Sequence, residues 1–105
     1  MDSEGLQLAV GTEGDEVVIT LAGEVDISTA PELWAAIDAA LNSGRTRVVL
    51  DLASLGFVDS TGLGVFVRAG KELRDKGGRL VLRSPGERVA KLLSITRLEE
   101  VFEIR

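Results

Sequence analysis

The residues of this chain that could take part in chemistry are concentrated between Phe57 and Gly64, in the sequence FVDSTGLG. Asp59 stands directly before two hydroxyl side chains, Ser60 and Thr61. An apolar run typical of a buried strand precedes this stretch, and apolar residues at helical spacing follow it. In open α/β sheets, functional sites lie where the carboxyl end of a strand turns into a helix. We therefore expect the functional site within these residues.

Three catalytic motifs can be excluded for this stretch, because it lacks the residues or the spacing that each of them requires. A nucleophile elbow needs Gly-x-Ser-x-Gly, and Val58 stands at the first glycine position. A dinucleotide fingerprint needs a third glycine after Gly62 and Gly64, where the chain has Val67. The Asp-Ser/Thr-Gly of aspartic proteases is one residue shorter than the spacing found after Asp59 and belongs to all-β architectures. We therefore expect no enzyme, but a serine that receives chemistry.

The two glycines at the start of the following helix need an explanation of their own. Gly62 and Gly64 each cost about 1 kcal/mol of helix stability relative to alanine. Either the backbone of another element approaches closely there, or the helix packs tightly on the sheet. The sequence leaves both explanations open.

Composition excludes several classes of function. The 105 residues contain no His and no Cys, so disulfides, thiolate chemistry, imidazole bases and ordinary zinc sites are absent, and we expect no metal and no cofactor. Twelve basic against seventeen acidic side chains give a net charge of −5, which disfavours nucleic acid and anionic membranes. No apolar run is long enough to span a membrane. We expect one cytoplasmic domain over residues 1–105, present as a monomer.

The first part of the chain is predicted to form a β-hairpin. Leu6–Val10 begins with alternating apolar and polar residues, and Val17–Ala22 is rich in β-branched side chains. Gly11–Asp15, between them, supplies the residue types that favour turns.

A helix should follow. Thr29 and Glu32 have the spacing of a capping box, in which the threonine side chain accepts a hydrogen bond from the amide at Glu32, and Pro31 is tolerated in the first turn. Gly44 is placed to end this helix in a left-handed conformation. The apolar stripe expected to cover a sheet consists of Leu33, Trp34, Ile37, Ala40 and Leu41.

The middle of the chain predicts a central strand and a second helix. Val48–Leu52 is almost entirely apolar, which favours a strand covered on both faces. After a predicted loop at Ala53–Val58, either Asp59 or Ser60 can cap the helix. That helix should end at Gly77–Gly78. Its apolar stripe includes Leu63, Phe66 and Val67.

The last part of the chain completes an α/β fold. Arg79–Arg83 is predicted to be a strand, residues 84–86 break the chain, and Val101–Ile104 is either an edge strand or a final helical turn. Right-handed crossovers then give a mixed β-sheet with helices packed on it, in the order β-β-α-β-α-β-α-β. A short third helix is indicated by Val89, Leu92 and Leu93, and the core should hold the aromatic residues Trp34, Phe57 and Phe66.

Five short motifs occur in order along the chain: Gly23–Asp26, Thr29–Pro31, Val49–Leu52, Phe57–Gly64 and Gly77–Leu80. Together they resemble the anti-sigma-factor antagonist family of STAS domains, and the similarity extends from about residue 6 to residue 104. One residue departs from the family pattern. Position 97 is an arginine where a glycine is usual, which puts in doubt the usual turn after the third helix.

The resemblance implies a phosphorylation switch at Ser60. In that family the serine after the aspartate is phosphorylated by the anti-sigma factor, which is itself a serine kinase. The unphosphorylated antagonist binds the anti-sigma factor and frees the sigma factor, and a serine phosphatase resets it. The partner-binding residues expected on this basis are Asp26, Asp59, Ser60, Thr61, Gly62, Leu63 and Gly64.

Other roles for these residues remain open from the sequence. Ser60 could serve only as a helix cap, and Asp26 could only brace the turn at Ser28–Thr29. At the level of function, the alternative is a STAS module that serves as an adaptor in a transport or signalling assembly and is never phosphorylated.

A phosphate on Ser60 would add a charge of about −1.5 to −2 beside Asp59. We expect that charge to alter a binding face and leave the fold intact.

Overall fold

The computed structural model describes residues 5–105 as a mixed five-stranded sheet with three α-helices. The sheet order is β1-β2-β3-β4-β5, with β1 antiparallel to β2 and all other neighbours parallel. The strands are β1 (Leu6–Glu13), β2 (Glu16–Val25), β3 (Arg47–Val58), β4 (Arg79–Arg83) and β5 (Glu103–Ile104). The helices are α1 (Ala30–Asn42), α2 (Ser60–Asp75) and α3 (Glu87–Ile95). The predicted fold class and element order are confirmed; the first four residues of the predicted domain lie outside the described ones.

The hairpin of β1 and β2 is longer than predicted, because its turn is tighter. Only Gly14 and Asp15 form the turn, and Gly14 has a φ of 59°. A two-residue turn with a positive φ at its first position matches the twist of the flanking strands. The residues at 11–13, predicted to belong to the turn, therefore pair with residues 16–18 of β2.

β3 continues through the segment that the sequence predicted to be a loop. Ser54 pairs with Ala22 and Val58 with Val25, so the prediction of a loop at Ala53–Val58 is wrong. Two register shifts interrupt this part of the β2–β3 ladder. Strand side chains alternate between faces, and such irregularities change which side chain turns inward. Leu55 and Val58, at a spacing of three, are both buried as a result.

All three helices pack on one face of the sheet. Their buried residues form a single apolar cluster with alternate residues of the strands. The other face carries ion pairs, Arg83 to Asp51 at 3.0 Å and Arg105 to Glu16 at 2.8 Å. The prediction that Val48–Leu52 is covered on both faces is confirmed, since Val48, Val49 and Leu50 are fully buried. Helices cover one face, and the stems of long charged side chains cover the other. A small separate cluster is buried there: Val18, Val49 and Val81.

The three aromatic residues predicted for the core differ in burial. Phe66 is fully buried, as predicted. Trp34 is only partly buried, and the Arg68 guanidinium lies 3.7 Å from the centre of its ring. Phe57 is 40% exposed, so its assignment to the core is wrong. The core positions at this end of β3 are taken by Leu55 and Val58 instead.

The predicted ends of the helices are confirmed. Gly44 follows α1 with a φ of 88°, and Gly77 follows α2 with a φ of 78°. The turn after α3 also forms, because Arg97 itself takes the left-handed conformation with a φ of 62°. A 3-10 turn at Leu98–Glu100 then leads into β5, the edge strand. No helix in residues 5–105 is both long and apolar enough to cross a membrane.

Candidate functional site

The loops after β2 and β3 adjoin at the carboxyl end of the sheet. Val25 and Val58 are paired in the parallel ladder, and the backbone N–H of Asp59 donates to the carbonyl of Val25 at 3.0 Å. Asp26 and Asp59 directly follow these paired residues. The structure therefore brings two of the predicted site residues to the same edge of the sheet.

Asp59, and not Ser60, caps α2. Its side chain accepts a hydrogen bond from the backbone N–H of Gly62 at 3.0 Å. Ser60 is the first residue of the helix and is exposed. Within residues 5–105, the Ser60 hydroxyl has no hydrogen-bond partner. The capping role that the sequence left open for Ser60 is thus filled by its neighbour, and the serine hydroxyl is accessible.

The Asp26 carboxylate braces the loop after β2. One of its oxygens, Oδ1, accepts from the Ser28 hydroxyl at 2.7 Å, the Ser28 N–H at 2.9 Å and the Thr29 N–H at 3.1 Å. These hydrogen bonds, led by that from the Ser28 hydroxyl, hold the pKa of Asp26 below its ordinary value. The second oxygen accepts no hydrogen bond from the described residues. Bracing the turn therefore still leaves an acceptor for a partner.

The predicted capping box at Thr29 is wrong, although Thr29 does occupy the N-cap position of α1. Its hydroxyl donates to the carbonyl of Glu24 at 3.0 Å and accepts from the N–H of Asp26 at 2.9 Å. It therefore ties the end of β2 to the start of α1 instead of reaching the amide of Glu32. The Asp-x-Ser-Thr sequence carried the signal for this arrangement, since an aspartate commonly bonds to the backbone two residues on.

The two glycines of the site have different surroundings. A Cβ on Gly62 would lie 2.5 Å from a Val58 methyl and 2.7 Å from a Val25 methyl, so tight packing on the sheet explains this glycine. A Cβ on Gly64 would meet none of the described atoms within 4 Å. Leu63, between them, is buried in the core. Of the predicted contact residues in α2, Gly62 and Leu63 fix the helix in place, while Ser60, Thr61 and Gly64 are exposed.

Sequence reasoning missed an apolar surface beside the site. Ile27 is 77% exposed in the loop after β2, and Phe57 and Val67 are each 40% exposed. The predicted loop at Ala53–Val58 concealed the exposure of Phe57: Phe57 and Val58 are consecutive in a strand, so only one of them can face the core. Between the end of β3 and α3 lies a groove of about 370 Å³, lined by Phe57, Val58, Arg88, Val89, Leu92 and Ile95.

The chemistry that this arrangement supports is modification of a hydroxyl, or binding. The start of α2 presents backbone N–H groups and the positive end of the helix dipole, which favour an anion such as a phosphate. Residues 5–105 contain no cluster of three or more acidic side chains that could hold a metal ion. An exposed serine at a helix start, flanked by carboxylates and apolar surface, is thus the central feature.

Comparison with known proteins gives consistent matches over nearly the whole chain. The family model described as "Mlab, STAS domain" matches residues 8–104. The anti-sigma-B factor antagonist of Listeria monocytogenes is 38% identical over 91 residues, which cover 87% of this chain and 80% of that protein.

Two solved structures have the same fold. One is a Thermotoga maritima protein assigned as an anti-sigma factor antagonist, with a TM-score of 0.87, 30% identity, and coverage of 92% of this chain and 84% of that one. The other is the Bacillus protein SpoIIAA in its phosphorylated form, with a TM-score of 0.72, 27% identity, and coverage of 96% of this chain and 91% of that one.

Proposed function

This chain belongs to the STAS domain family, and we propose that it is an anti-sigma factor antagonist controlled by phosphorylation of Ser60. In its unmodified form it binds an anti-sigma factor that is also a serine kinase, and so releases the sigma factor. Phosphorylation ends this binding, and a serine phosphatase restores it. Its place of action is the cytoplasm, where these partners work.

One observation carries the proposal: the Ser60 hydroxyl is accessible and uncommitted at the start of α2. It is exposed, and the capping bond that a serine there could make is made by Asp59 at 3.0 Å from the Gly62 nitrogen. Modification of the hydroxyl therefore breaks no hydrogen bond among the described residues. The existence of SpoIIAA in a phosphorylated form supports the same assignment.

The group transfer at Ser60 is a simple displacement. The serine oxygen attacks the γ-phosphorus of ATP bound to the kinase, a new P–O bond forms, and the bond to the bridging oxygen of ADP breaks. The hydroxyl proton passes to a base of the kinase. Since this chain supplies only the nucleophilic oxygen, it needs no catalytic residue of its own.

The phosphate acts on the binding face through its charge and size. It adds a charge of about −1.5 to −2 next to the carboxylates of Asp59 and Asp26. Because an anion is favourable at the start of a helix, the fold is retained. The added negative charge instead repels the surface of the partner that would bind there. The binding face we propose comprises Asp26, Asp59, Ser60, Thr61 and Gly64, with Gly62 and Leu63 holding the helix in position.

The test is phosphorylation of purified protein by a kinase-type anti-sigma factor with ATP, followed by intact-mass measurement and calorimetry. We expect wild type and Thr61→Ala to gain one phosphate, and Ser60→Ala to gain none while still binding the partner. Thr61→Ala is the matched control, because it removes a neighbouring exposed hydroxyl. Equal binding of the phosphorylated and unmodified proteins, or a phosphorylated Ser60→Ala, would contradict the proposal and favour the adaptor function.

A further inference from the structure

The two edges of the sheet are protected to very different degrees. β5, at one edge, has only two residues, whereas β1, at the other, has eight. β1 pairs with β2 without any register shift, and its sequence LQLAVGTE has no Lys, Arg or Pro. Proteins usually blunt an edge strand with such residues, with bulges or by keeping it short. β1 uses none of these devices, and within residues 5–105 no other strand pairs with its outer edge.

The backbone groups that β1 leaves unpaired can be identified. The carbonyl of Gly5 accepts from the N–H of Glu24, so Gly5 belongs to the set of residues that bond to β2. Successive residues of an antiparallel strand alternate in the direction of their N–H and C=O groups. The outward-facing residues of β1 are therefore the even-numbered ones: Leu6, Leu8, Val10 and Thr12.

We propose that β1 pairs antiparallel with β1 of a second copy of this chain, with Ala9 on the two-fold axis. In this register Leu8 lies opposite Val10 of the second copy, and Leu6 lies opposite Thr12. Every outward-facing residue then exchanges both of its backbone hydrogen bonds, and the two five-stranded sheets become continuous. This inference is independent of Ser60 phosphorylation and replaces the monomer expected from the sequence.

The side chains of β1 fit this register. Ala9 lies opposite Ala9 of the second copy at the axis, and Gln7 lies opposite Gly11. Glu13, the one charged residue of β1, lies opposite Gly5, and Arg83 already pairs with it at 3.3 Å. No like charges face each other across the pair, which is the condition for stable cross-strand neighbours.

An apolar hollow beside β1 provides room for side chains of the second copy. It has a volume of about 500 Å³ and opens between β1 and α1. Val10, at its rim, is 61% exposed. Leu6 and Leu8 of the second copy lie opposite Thr12 and Val10 and so border this hollow. Its lining is dominated by small and apolar residues, among them Val10, Gly11, Thr12, Ala36 and Ala39.

These features favour a second copy over a different protein, because the edge is complementary to itself about a two-fold axis. One strand pair buries less than the roughly 1,600 Å² of a standard stable interface. The dimer should therefore be weak and dependent on concentration.

The first test is sedimentation velocity of the full chain from about 1 μM to about 1 mM. We expect the wild-type mass to rise from 11.2 kDa towards twice that value. Val10→Pro removes an outward-facing N–H and leaves the hydrogen bonds between β1 and β2 intact. Val10→Lys adds a charge at the edge. Both variants should stay monomeric. Ile95→Lys, a matched change at a residue of α3 that is 69% exposed, should dimerise as the wild type does. Circular dichroism checks that each variant is folded.

The second test fixes the register and uses the absence of cysteine from the chain. Ala9→Cys should form a disulfide-linked dimer under mild oxidation, because directly opposite residues in a non-hydrogen-bonded pair lie about 4.5 Å apart at Cα. Gly11→Cys, also exposed and with open space around its Cβ, should not. A wild type that remains monomeric at the highest concentration, or equal cross-linking of both variants, would overturn the proposal.

Discussion

In the proposed switch, Asp59 caps α2 and Ser60 accepts the phosphate. When a serine itself caps a helix, its oxygen accepts from a backbone N–H of the first turn, so phosphorylation alters the cap. Here the Asp59 carboxylate accepts from the Gly62 N–H, and the Ser60 hydroxyl stays outside the hydrogen bonds of the described residues. The phosphorylation proposed for Ser60 would therefore leave the capping hydrogen bond of α2 in place. The sequence could not establish this division, because both residue types are good caps.

This division predicts a stability difference between neighbouring substitutions. Asp59→Ala removes the cap and should lower the free energy of unfolding by about 0.5–2 kcal/mol. Ser60→Ala removes an exposed side chain without a partner and should change that free energy by less than about 0.5 kcal/mol. Urea unfolding followed by circular dichroism measures both. A Ser60→Ala loss as large as that of Asp59→Ala would show that the serine has a capping role.

Asp26 should contribute to stability in a way that depends on pH. Its pKa in the folded protein is lowered from the ordinary 3.8, chiefly by the Ser28 hydroxyl and then by the backbone N–H groups of Ser28 and Thr29. A depressed carboxyl pKa gives stability that is present above the unfolded-state value and is lost as the pH falls through the folded-state value.

The measurement is the melting temperature of wild type and Asp26→Asn across the acid range. We expect the wild type to melt higher above about pH 4, and the difference to shrink as the pH falls below that value. Glu24→Gln, at an exposed residue whose side chain has no partner in the described hydrogen bonds or ion pairs, is the control. A difference that does not change with pH would mean that the carboxylate's hydrogen bonds do not stabilise the loop.

At the scale of elements, the first turns of α2 contain one glycine that is packed against the sheet, Gly62, and one that has open space around it, Gly64. A side chain at Gly62 would press into Val58 and Val25, and Gly62→Ala should therefore cost about 1–3 kcal/mol of stability. Gly64→Ala meets open space and should instead stabilise the protein by about 0.5–1 kcal/mol, as alanine does in a helix. Urea unfolding of the two variants checks the opposite signs. Equal effects would contradict the different surroundings of Gly62 and Gly64.

The extent of β3 shows where sequence patterns stop being informative. Val48–Leu52 was recognisable from its apolar run, but Ser54 and Gly56 interrupt that run within Ala53–Val58. It is a strand because β2 lies alongside and supplies a parallel partner as far as Val25. A partner strand is a tertiary feature that composition does not encode. The misassigned core position of Phe57 follows from this error.

For the whole molecule, the sequence was sufficient for topology because strands and helices alternate with clear turn residues between them. It was not sufficient to predict which elements or side chains cover each face of the sheet. Val48–Leu52 gave an apolar run that equally fits burial by helices on both faces or by helices on one face and charged side chains on the other. The pairing of Arg83 with Asp51, and of Arg105 with Glu16, joins residues far apart in sequence. Such pairs become visible only once the strand order is known.

The single helix-covered face predicts cooperative unfolding. Residues of α1, α2 and α3 share one apolar cluster, so no helix can leave without exposing the core to which the others contribute. Trp34 is the one tryptophan and lies against Arg68 of α2. Its fluorescence therefore reports the contact between α1 and α2, while far-ultraviolet circular dichroism reports the whole backbone. We expect the two signals to give the same urea midpoint, as a two-state transition requires.

The same transition should be insensitive to reductant and to chelator. The chain has no cysteine or histidine, and residues 5–105 hold no cluster of potential metal ligands. Neither disulfide reduction nor metal removal can then shift the melting temperature. The measurement repeats the fluorescence and dichroism curves with dithiothreitol and with EDTA. Separate midpoints for the two probes would show that α1 detaches before the rest of the fold, and a large drop in EDTA would reveal a structural metal.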